Sequence, residues 1–260
     1  MGETDLKEKV KRLADFILQS KKTVVFTGAG VSTESGIPDF RSPGGIWSRF
    51  DPDDFTIDKF LYSPETRDRQ WRFLVKSGLF KEVEPNDAHK TIAWLEKIGK
   101  LACVITQNID NLHQRAGNDP SRVYELHGNM SYMSCLSCGK RYSLEEIVDK
   151  FADSPHAPVC ENCRGILKSE VVYFGEALPH RTLVEASHHA ATCDLFIVIG
   201  SSLVVYPAAF LPSYAKDAGA KLVIINMSDT PFDSEADLLI RTPAGQAMRA
   251  LKEELEGRIN

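Results

Sequence analysis

The sequence predicts a doubly wound α/β fold: a Rossmann-like parallel sheet with an inserted zinc-ribbon lobe and a helical cover module. Three observations predict it. Short runs that are apolar throughout recur along the chain, as strands buried on both faces must be. Segments with helical periodicity separate several of these runs. The first run closes on a glycine-rich turn, Thr27-Gly28-Ala29-Gly30.

Taken in order, Lys7 to Gln19 sets Val10, Leu13, Ala14 and Ile17 at helical spacing. A strand follows over Val24 to Thr27, and its Gly-x-Gly turn lets the backbone approach a phosphate while the N–H groups opening the next helix supply donors. The dinucleotide fingerprint is imperfect, because Thr33 stands where the third glycine belongs. Ser42 to Pro85 carries Trp47, Phe50, Phe55, Phe60, Trp71, Phe73 and Phe80 among many charges and suits a helical cover with a mobile first part, Ser42 to Asp54. Further strands are predicted over Leu101–Thr106, Val123–Leu126, Glu170–Phe174, Leu195–Ile199 and Leu222–Ile225. Helices are predicted over Ala88–Ile98 and over Ala208–Ala218, the latter stopped by Gly219. The resulting division is residues 1–41, 86–130 and 170–260 for the sheet domain, 42–85 for the cover and 131–169 for the lobe.

At 260 residues and 43% hydrophobic, the chain suffices for one sizeable core plus a small module. A net charge of −5 gives no general attraction to nucleic acid or anionic membrane. Met1 to Lys11 lacks the apolar core of a signal peptide, and Leu195 to Leu211 is interrupted by Gly200, Ser201, Ser202 and Pro207, so no membrane span is expected. A soluble, cytoplasmic protein is the expectation.

Four of the six cysteines form Cys135-x-x-Cys138 and Cys160-x-x-Cys163, separated by twenty-one residues. Two such knuckles complete a tetrahedral thiolate site for Zn²⁺, and four protein ligands leave no open position, which makes the metal structural. Cys103 and Cys193 stand in or beside apolar runs and read as small buried hydrophobes. Around the knuckles Lys140, Arg141, Lys150, Arg164 and Lys168 are balanced by Glu145, Glu146, Asp149, Asp153 and Glu161, leaving no electrostatic footprint for nucleic acid.

Ligands of such sheets bind outside the carboxyl ends of the strands. Behind the predicted strands come Gly28-Ala29-Gly30, Gln107-Asn108-Ile109-Asp110, His127-Gly128-Asn129, Gly175-Glu176, Gly200-Ser201-Ser202 and Asn226-Met227-Ser228. This is an active-site rim. A histidine at a strand end, neutral near pH 7, has the property a general base needs, and His127 converges with Gln107, Asn108 and Asp110. His89 and His113 read as packing or capping groups, His188 and His189 lie on a helix away from polar clusters, and His156 falls in a solvated loop.

The motifs TGAGVSTESGIPDFR (27–41), TQNIDNLHQRAG (106–117), LHGN (126–129), the paired Cys-x-x-Cys, VVYFGE (171–176) and GSSLVVYPAA (200–209) stand in the order of one family. The chain resembles the sirtuins, NAD-dependent protein-lysine deacylases, from about Lys21 to Ala244. The resemblance implies that the acyl oxygen of a modified lysine attacks the nicotinamide ribose, that nicotinamide leaves, and that His127 activates a ribose hydroxyl to resolve the imidate. Free lysine and 2′-O-acetyl-ADP-ribose result, with NAD consumed. It further implies catalytic work for Gln107, Asn108 and Asp110, and cofactor contacts at Gly28, Ala29, Gly30, Asp39, Phe40 and Arg41. Others follow at Gly200, Ser201, Ser202, Asn226, Met227, Ser228 and Ala244. The acyl-lysine would enter between Phe40, His127, Val172 and Phe174. Its peptide would be added as a β-strand between Gly175-Glu176 and Val204-Val205.

Leu74 and Ser77 replace the tyrosine and arginine that desuccinylating relatives carry, which predicts neutral acyl groups such as acetyl. Lys168-Ser169-Glu170 and Asn226-Met227-Ser228 depart from the commonest family wording, at the peptide loop and the adenosine rim. Two rival readings are a mono-ADP-ribosyltransferase using the same NAD site and a zinc-stabilised NAD-binding module without turnover.

Overall fold

The computed structural model describes residues 3–77 and 83–259. The predicted position of Phe80 therefore lies outside the described residues, as does the side chain of Ser77. The chain opens with α1 (Glu3–Gln19) and β1 (Thr23–Thr27), then α2 (Ile57–Tyr62), α3 (Pro64–Ser77) and α4 (Asp87–Lys97). Next come β2 (Cys103–Thr106), α5 (Leu112–Ala116), β3 (Val123–Glu125), β4 (Gly128–Cys135), β5 (Arg141–Ser143), α6 (Leu144–Phe151) and β6 (Leu167–Val171). The chain then runs through α7 (His180–Ala190), β7 (Leu195–Ile199), α8 (Leu211–Asp217), β8 (Lys221–Ile225), β9 (Leu238–Ile240) and α9 (Ala244–Ile259).

Six strands form a parallel sheet in the order β3-β2-β1-β7-β8-β9. The chain winds outward from β1 to β3, then returns to the other side of β1 and winds outward again. This places the topological switch between β1 and β7, where ligands of doubly wound sheets bind. Alternation along the strands feeds two cores. Val25, Val104, Ile197, Ile199 and Val223 pack under α1, α4 and α9, while Val24, Phe26, Ile105, Phe196, Val198 and Ile224 pack under α7 and α8. The predicted stripe of α1, Val10, Leu13, Ala14 and Ile17, is wholly within the first core.

One predicted strand belongs elsewhere. Glu170–Phe174 is no part of the parallel sheet: the strand is β6, Leu167–Val171, antiparallel to β4 in a three-stranded sheet ordered β5-β4-β6. The polar positions of Leu167-Lys168-Ser169-Glu170-Val171 explain this, since a strand sandwiched between helix layers has no place for them. Glu170 instead accepts from Ser134 Oγ at 2.7 Å and from Arg141 Nε and Nη2, each at 2.7 Å. Val172 to Phe174 run on as a bridge: Val172 N–H donates to the His127 carbonyl at 2.8 Å and Phe174 N–H to Phe55 O at 3.0 Å.

The first part of the predicted helix over Ala208–Ala218 is a 3-10 turn, Ala208–Phe210, leading into α8. The expected helix behind β1 is likewise two short 3-10 turns, Ala29–Val31 and Thr33–Ser35. Within the cover, Ser42 to Asp54 holds 3-10 turns at Ile46–Ser48 and Pro52–Phe55, and α3 lends Trp71, Leu74 and Val75 to the core of the cysteine lobe.

Candidate active site

At the carboxyl ends of the parallel strands lies one continuous cavity of about 1060 Å³. Its wall contains Gly28, Ala29, Gly30, Asp39, Phe40, Arg41, Gln107, Asn108, Asp110 and His127. It also contains Val172, Phe174, Gly175, Glu176, Gly200, Ser201, Ser202, Val205, Asn226, Met227, Ser228 and Ala244. Val204 is not in the wall but stands beside it, 45% exposed.

The two glycines of the first turn are required by packing as much as by any ligand. A Cβ at Gly28 would lie 2.8 Å from the Gly200 carbonyl oxygen, and one at Gly30 would lie 2.8 Å from Gly200 Cα. The Gly28 N–H donates to Ile199 O at 3.1 Å and the Gly30 N–H to Gly200 O at 2.8 Å, closing the seam between the turns behind β1 and β7, while Val31 N–H donates to Gly28 O at 3.0 Å within the first turn. Asp39 is also engaged locally: its Oδ1 accepts from the N–H groups of Arg41 at 3.0 Å and Ser42 at 2.7 Å, which fixes the loop presenting Phe40 and Arg41.

Behind β2 the amide and carboxylate side chains are locked in a network. Gln107 Nε2 donates to Ser201 Oγ at 2.7 Å, bridging the two halves of the sheet. Asn108 Nδ2 donates to Gly28 O at 3.1 Å and to Ser32 Oγ at 3.2 Å, and Ser32 Oγ donates to Asp110 Oδ2 at 2.7 Å. Burial pushes the Asp110 carboxyl above its ordinary value, against the hydrogen bonds from Ser32 and the Leu112 N–H. Ser32 is the residue sequence reasoning missed; its place in GAGVS was the available signal, but its partners lie about eighty positions away.

His127 sits where β3 gives way to β4. Gly128 behind it has φ +75°, and a Cβ there would fall 1.9 Å from Glu170 O, so β4 and β6 can approach only because that position is glycine. His127 Nδ1 lies 2.9 Å from the Gln107 carbonyl. A carbonyl only accepts, so Nδ1 carries the proton and Nε2 of the neutral ring keeps its lone pair. Burial lowers the imidazole below 6.5, outweighing the bond to Gln107, and keeps the ring neutral at pH 7.

His89 and His113 are buried with ring centroids 5.0 Å apart. His113 Nε2 bonds Thr27 Oγ1 at 2.9 Å, and Thr27 Oγ1 donates to Thr106 Oγ1 at 2.8 Å, beneath Asn108. Both rings are support for the floor, as their packing role predicts. His156 is exposed and bonds Asp68 at 2.8 Å.

On the opposite side Phe40, Trp47, Phe55 and Phe174 form an aromatic cluster, with Trp47 5.1 Å, 5.4 Å and 6.2 Å from its three neighbours. Glu176, expected at the peptide edge, has its carboxylate engaged within the loop: its Oε2 accepts from the Tyr173 N–H at 2.7 Å and pairs with the buried Lys168 ammonium at 2.9 Å. Its side chain shapes the loop from within. Behind β8, Arg241 donates to the carbonyls of Asn226 and Ser228 at 3.1 and 3.0 Å and pairs with Asp229 and Asp233, holding that loop.

The four cysteines lie apart from the cavity, their sulfurs all within 4.8 Å of one another. Cys135 and Cys163 are 3.4 Å apart and Cys138 and Cys160 3.6 Å, close to the ~3.8 Å edge of a tetrahedron with Zn–S bonds of about 2.3 Å. Their donor set fits a structural Zn²⁺. Cys103 and Cys193 are buried, which pushes their thiols up to about 12 and about 11.

The sequence model described as the Sir2 family matches residues 28–207, more than half of the chain. The chain belongs to the Sir2 family. It is 48% identical over 240 residues to the NAD-dependent protein deacetylase of Rhodopseudomonas palustris, covering 92% of this chain and 94% of that one. Among solved structures, a Sir2 with deacetylated p53 peptide and 3′-O-acetyl ADP-ribose is similar at a TM-score of 0.88 and 42% identity, covering 94% of this chain and 98% of that one. A Sir2 with p53 peptide and NAD⁺ is similar at 0.86 and 41%, covering 96% and 99%. The switch-point cavity, the inserted cysteine lobe and the His127 site are thus set in the Sir2 fold.

Proposed function

We infer that this chain is an NAD-dependent protein deacetylase, which removes acetyl and other neutral acyl groups from protein lysines and yields nicotinamide, 2′-O-acetyl-ADP-ribose and free lysine. The observation that carries this reading is His127, a neutral imidazole whose proton is held on Nδ1 by an acceptor-only partner, in the wall of a cavity large enough for a dinucleotide. NAD supplies the electrophile, the ribose carbon that nicotinamide leaves.

The chain's own residues do the rest. Asn108 and Asp110, fixed through Ser32, hold the nicotinamide end; Gly28, Ala29, Gly30, Phe40 and Arg41 face the phosphates, with Asp39 ordering their loop. Gly200, Ser201, Ser202, Asn226, Met227, Ser228 and Ala244 surround the adenosine, and Gln107 joins the two halves. His127 Nε2 accepts the proton of the ribose hydroxyl. Phe40, Val172 and Phe174 enclose the acyl-lysine, where loss of water favours a neutral acylated amine over a charged one.

The peptide is added as a strand between Gly175-Glu176 and Val204-Val205, whose backbone gives affinity with little sequence selectivity. Residues 131–169 act as a structural zinc module, 42–85 as the cover, and the remainder as the NAD-binding domain. The balanced charge of the zinc module supports neither nucleic acid nor membrane as a partner. A cytoplasmic location is part of this proposal; of the described helices, none is long and apolar enough to cross a membrane.

Mass spectrometry of an acetyl-lysine peptide incubated with and without NAD tests the reading. It expects acetyl loss only with NAD, with one nicotinamide and one O-acetyl-ADP-ribose for each lysine freed. Nicotinamide release with the acetyl group retained, as in ADP-ribosyl transfer, would overturn it.

A further inference from the structure

The cavity wall does not end at its mouth. Val205, Tyr206 and Pro207 line it, and from Tyr206 an aromatic ridge continues outward along the 3-10 turn Ala208–Phe210 and α8. Tyr206, Phe210 and Tyr214 recur every four residues and are 55%, 47% and 41% exposed, with Val204 beside them at 45%. The rings of Tyr206 and Phe210 lie 4.6 Å apart. The opposite face of the same segment, Ala208, Leu211 and Ala215, is already buried under the sheet, so packing of the fold gives no reason for the outer aromatics.

We propose that this ridge docks the acylated substrate protein, taking apolar or aromatic side chains of the segment that runs outward from the acyl-lysine. The proposal rests on the deacetylase reading of the cavity and extends it from the lysine to its neighbours. Continuity selects this occupant: Tyr206 belongs to both the cavity wall and the ridge, so a chain leaving the cavity mouth on this side passes over Phe210. A second copy of the chain seated here would cover the mouth through which substrate enters. It would also find too little surface, because four side chains about half exposed offer about 400 Å², half of the ~800 Å² per partner of a stable complex. Backbone pairing alone gives little selectivity, and an apolar anchor beyond the lysine supplies it.

The test compares three probes with the wild-type chain and with Phe210→Ser and Tyr214→Ser: a capped single acetyl-lysine, an acetylated peptide with leucine and phenylalanine flanks, and the same peptide with serine flanks. The wild type is expected to show a KM about tenfold lower for the apolar-flanked peptide. Each variant is expected to lose most of that preference while its melting temperature, KM for NAD and rate on the single acetyl-lysine stay unchanged. A preference absent from the wild type or intact in both variants would overturn the proposal. So would a variant-dependent change of oligomeric state by light scattering with KM values unmoved, which would assign the ridge to a second copy. Failure of the wild type to deacetylate even the single acetyl-lysine would instead strike the deacetylase reading, and the ridge proposal with it.

Discussion

At the scale of single residues, the chemistry depends on where protons sit. His127 is held as the Nδ1–H tautomer by the Gln107 carbonyl, and burial makes its conjugate acid stronger than an ordinary imidazolium, so the ring stays neutral to lower pH. As the pH falls through its lowered value, the ring gains a proton and can no longer serve as the proposed base. The acid limb of kcat/KM for the acetyl-peptide is therefore expected to have its midpoint below pH 6.5, with a plateau from pH 7 upward. A midpoint above 6.5 would contradict the buried, neutral assignment. The four-cysteine cluster and the place of His127 in the cavity wall were legible in the sequence, because residue type and spacing carry them. Ser32 was not, since its role arises from Asn108 and Asp110, brought to it only by the pairing of β1 with β2.

At the scale of elements, the peptide-side loop is fixed by a residue that departs from the usual family wording. Lys168 is 8% exposed, donates to Val171 O at 2.6 Å and Ser169 O at 3.2 Å, pairs with Glu176 at 2.9 Å and lies 4.8 Å from the centre of the Tyr173 ring. Lys168→Met removes one partner of this pair and leaves Glu176 half-buried with its charge uncompensated. The expected result is a several-fold higher KM for peptide with kcat and the KM for NAD nearly unchanged, restored by Lys168→Arg. An equal loss in all three parameters would assign Lys168 a purely structural role.

The zinc module acts on the site through the same part of the chain. Its core includes Trp71 from α3, and Trp71, Leu74 and Met133 also line the cavity. Binding free energy at a structural zinc site is folding free energy. Cys135→Ala is thus expected to lose the bound zinc, lower the melting temperature and weaken the acyl end of the cavity. Full zinc content and an unchanged melting curve would refute the ligand assignment.

Element placement was less legible than element existence. The run Glu170 to Phe174 reads as a buried strand by its valines and aromatics. Its own first residue Glu170 and the preceding Lys168 and Ser169 carried the contrary signal of a small antiparallel sheet, whose partners are known only once β4 is in place. β9 was missed because its three residues, Leu238–Ile240, offer too short a pattern to separate from a loop.

At the scale of the whole molecule, the doubly wound order β3-β2-β1-β7-β8-β9 brings strand ends far apart in sequence to one crevice; the alternation of apolar runs with helices made the doubly wound architecture legible, but not the strand order. The floor of the crevice is held by buried neutral histidines, which links stability to pH. Burial lowers His89 to about 4 from the ordinary 6.5, and lowers His113 as well. Between these values the unfolded chain binds protons that the folded chain does not. Stability is therefore fully present above pH 6.5 and falls as the pH drops toward 4, by about 3 kcal/mol for His89 alone. His89→Gln is expected to flatten this slope in denaturant melts at pH 7, 6 and 5; a slope unchanged by the substitution would contradict the linkage.

The most direct test of the account replaces His127 by alanine and follows NAD binding by calorimetry alongside release of free lysine from an acetyl-peptide. The account predicts NAD affinity within a few-fold of the wild type and deacetylation lowered by at least two to three orders of magnitude. Deacetylation at the wild-type rate by the alanine variant would contradict it.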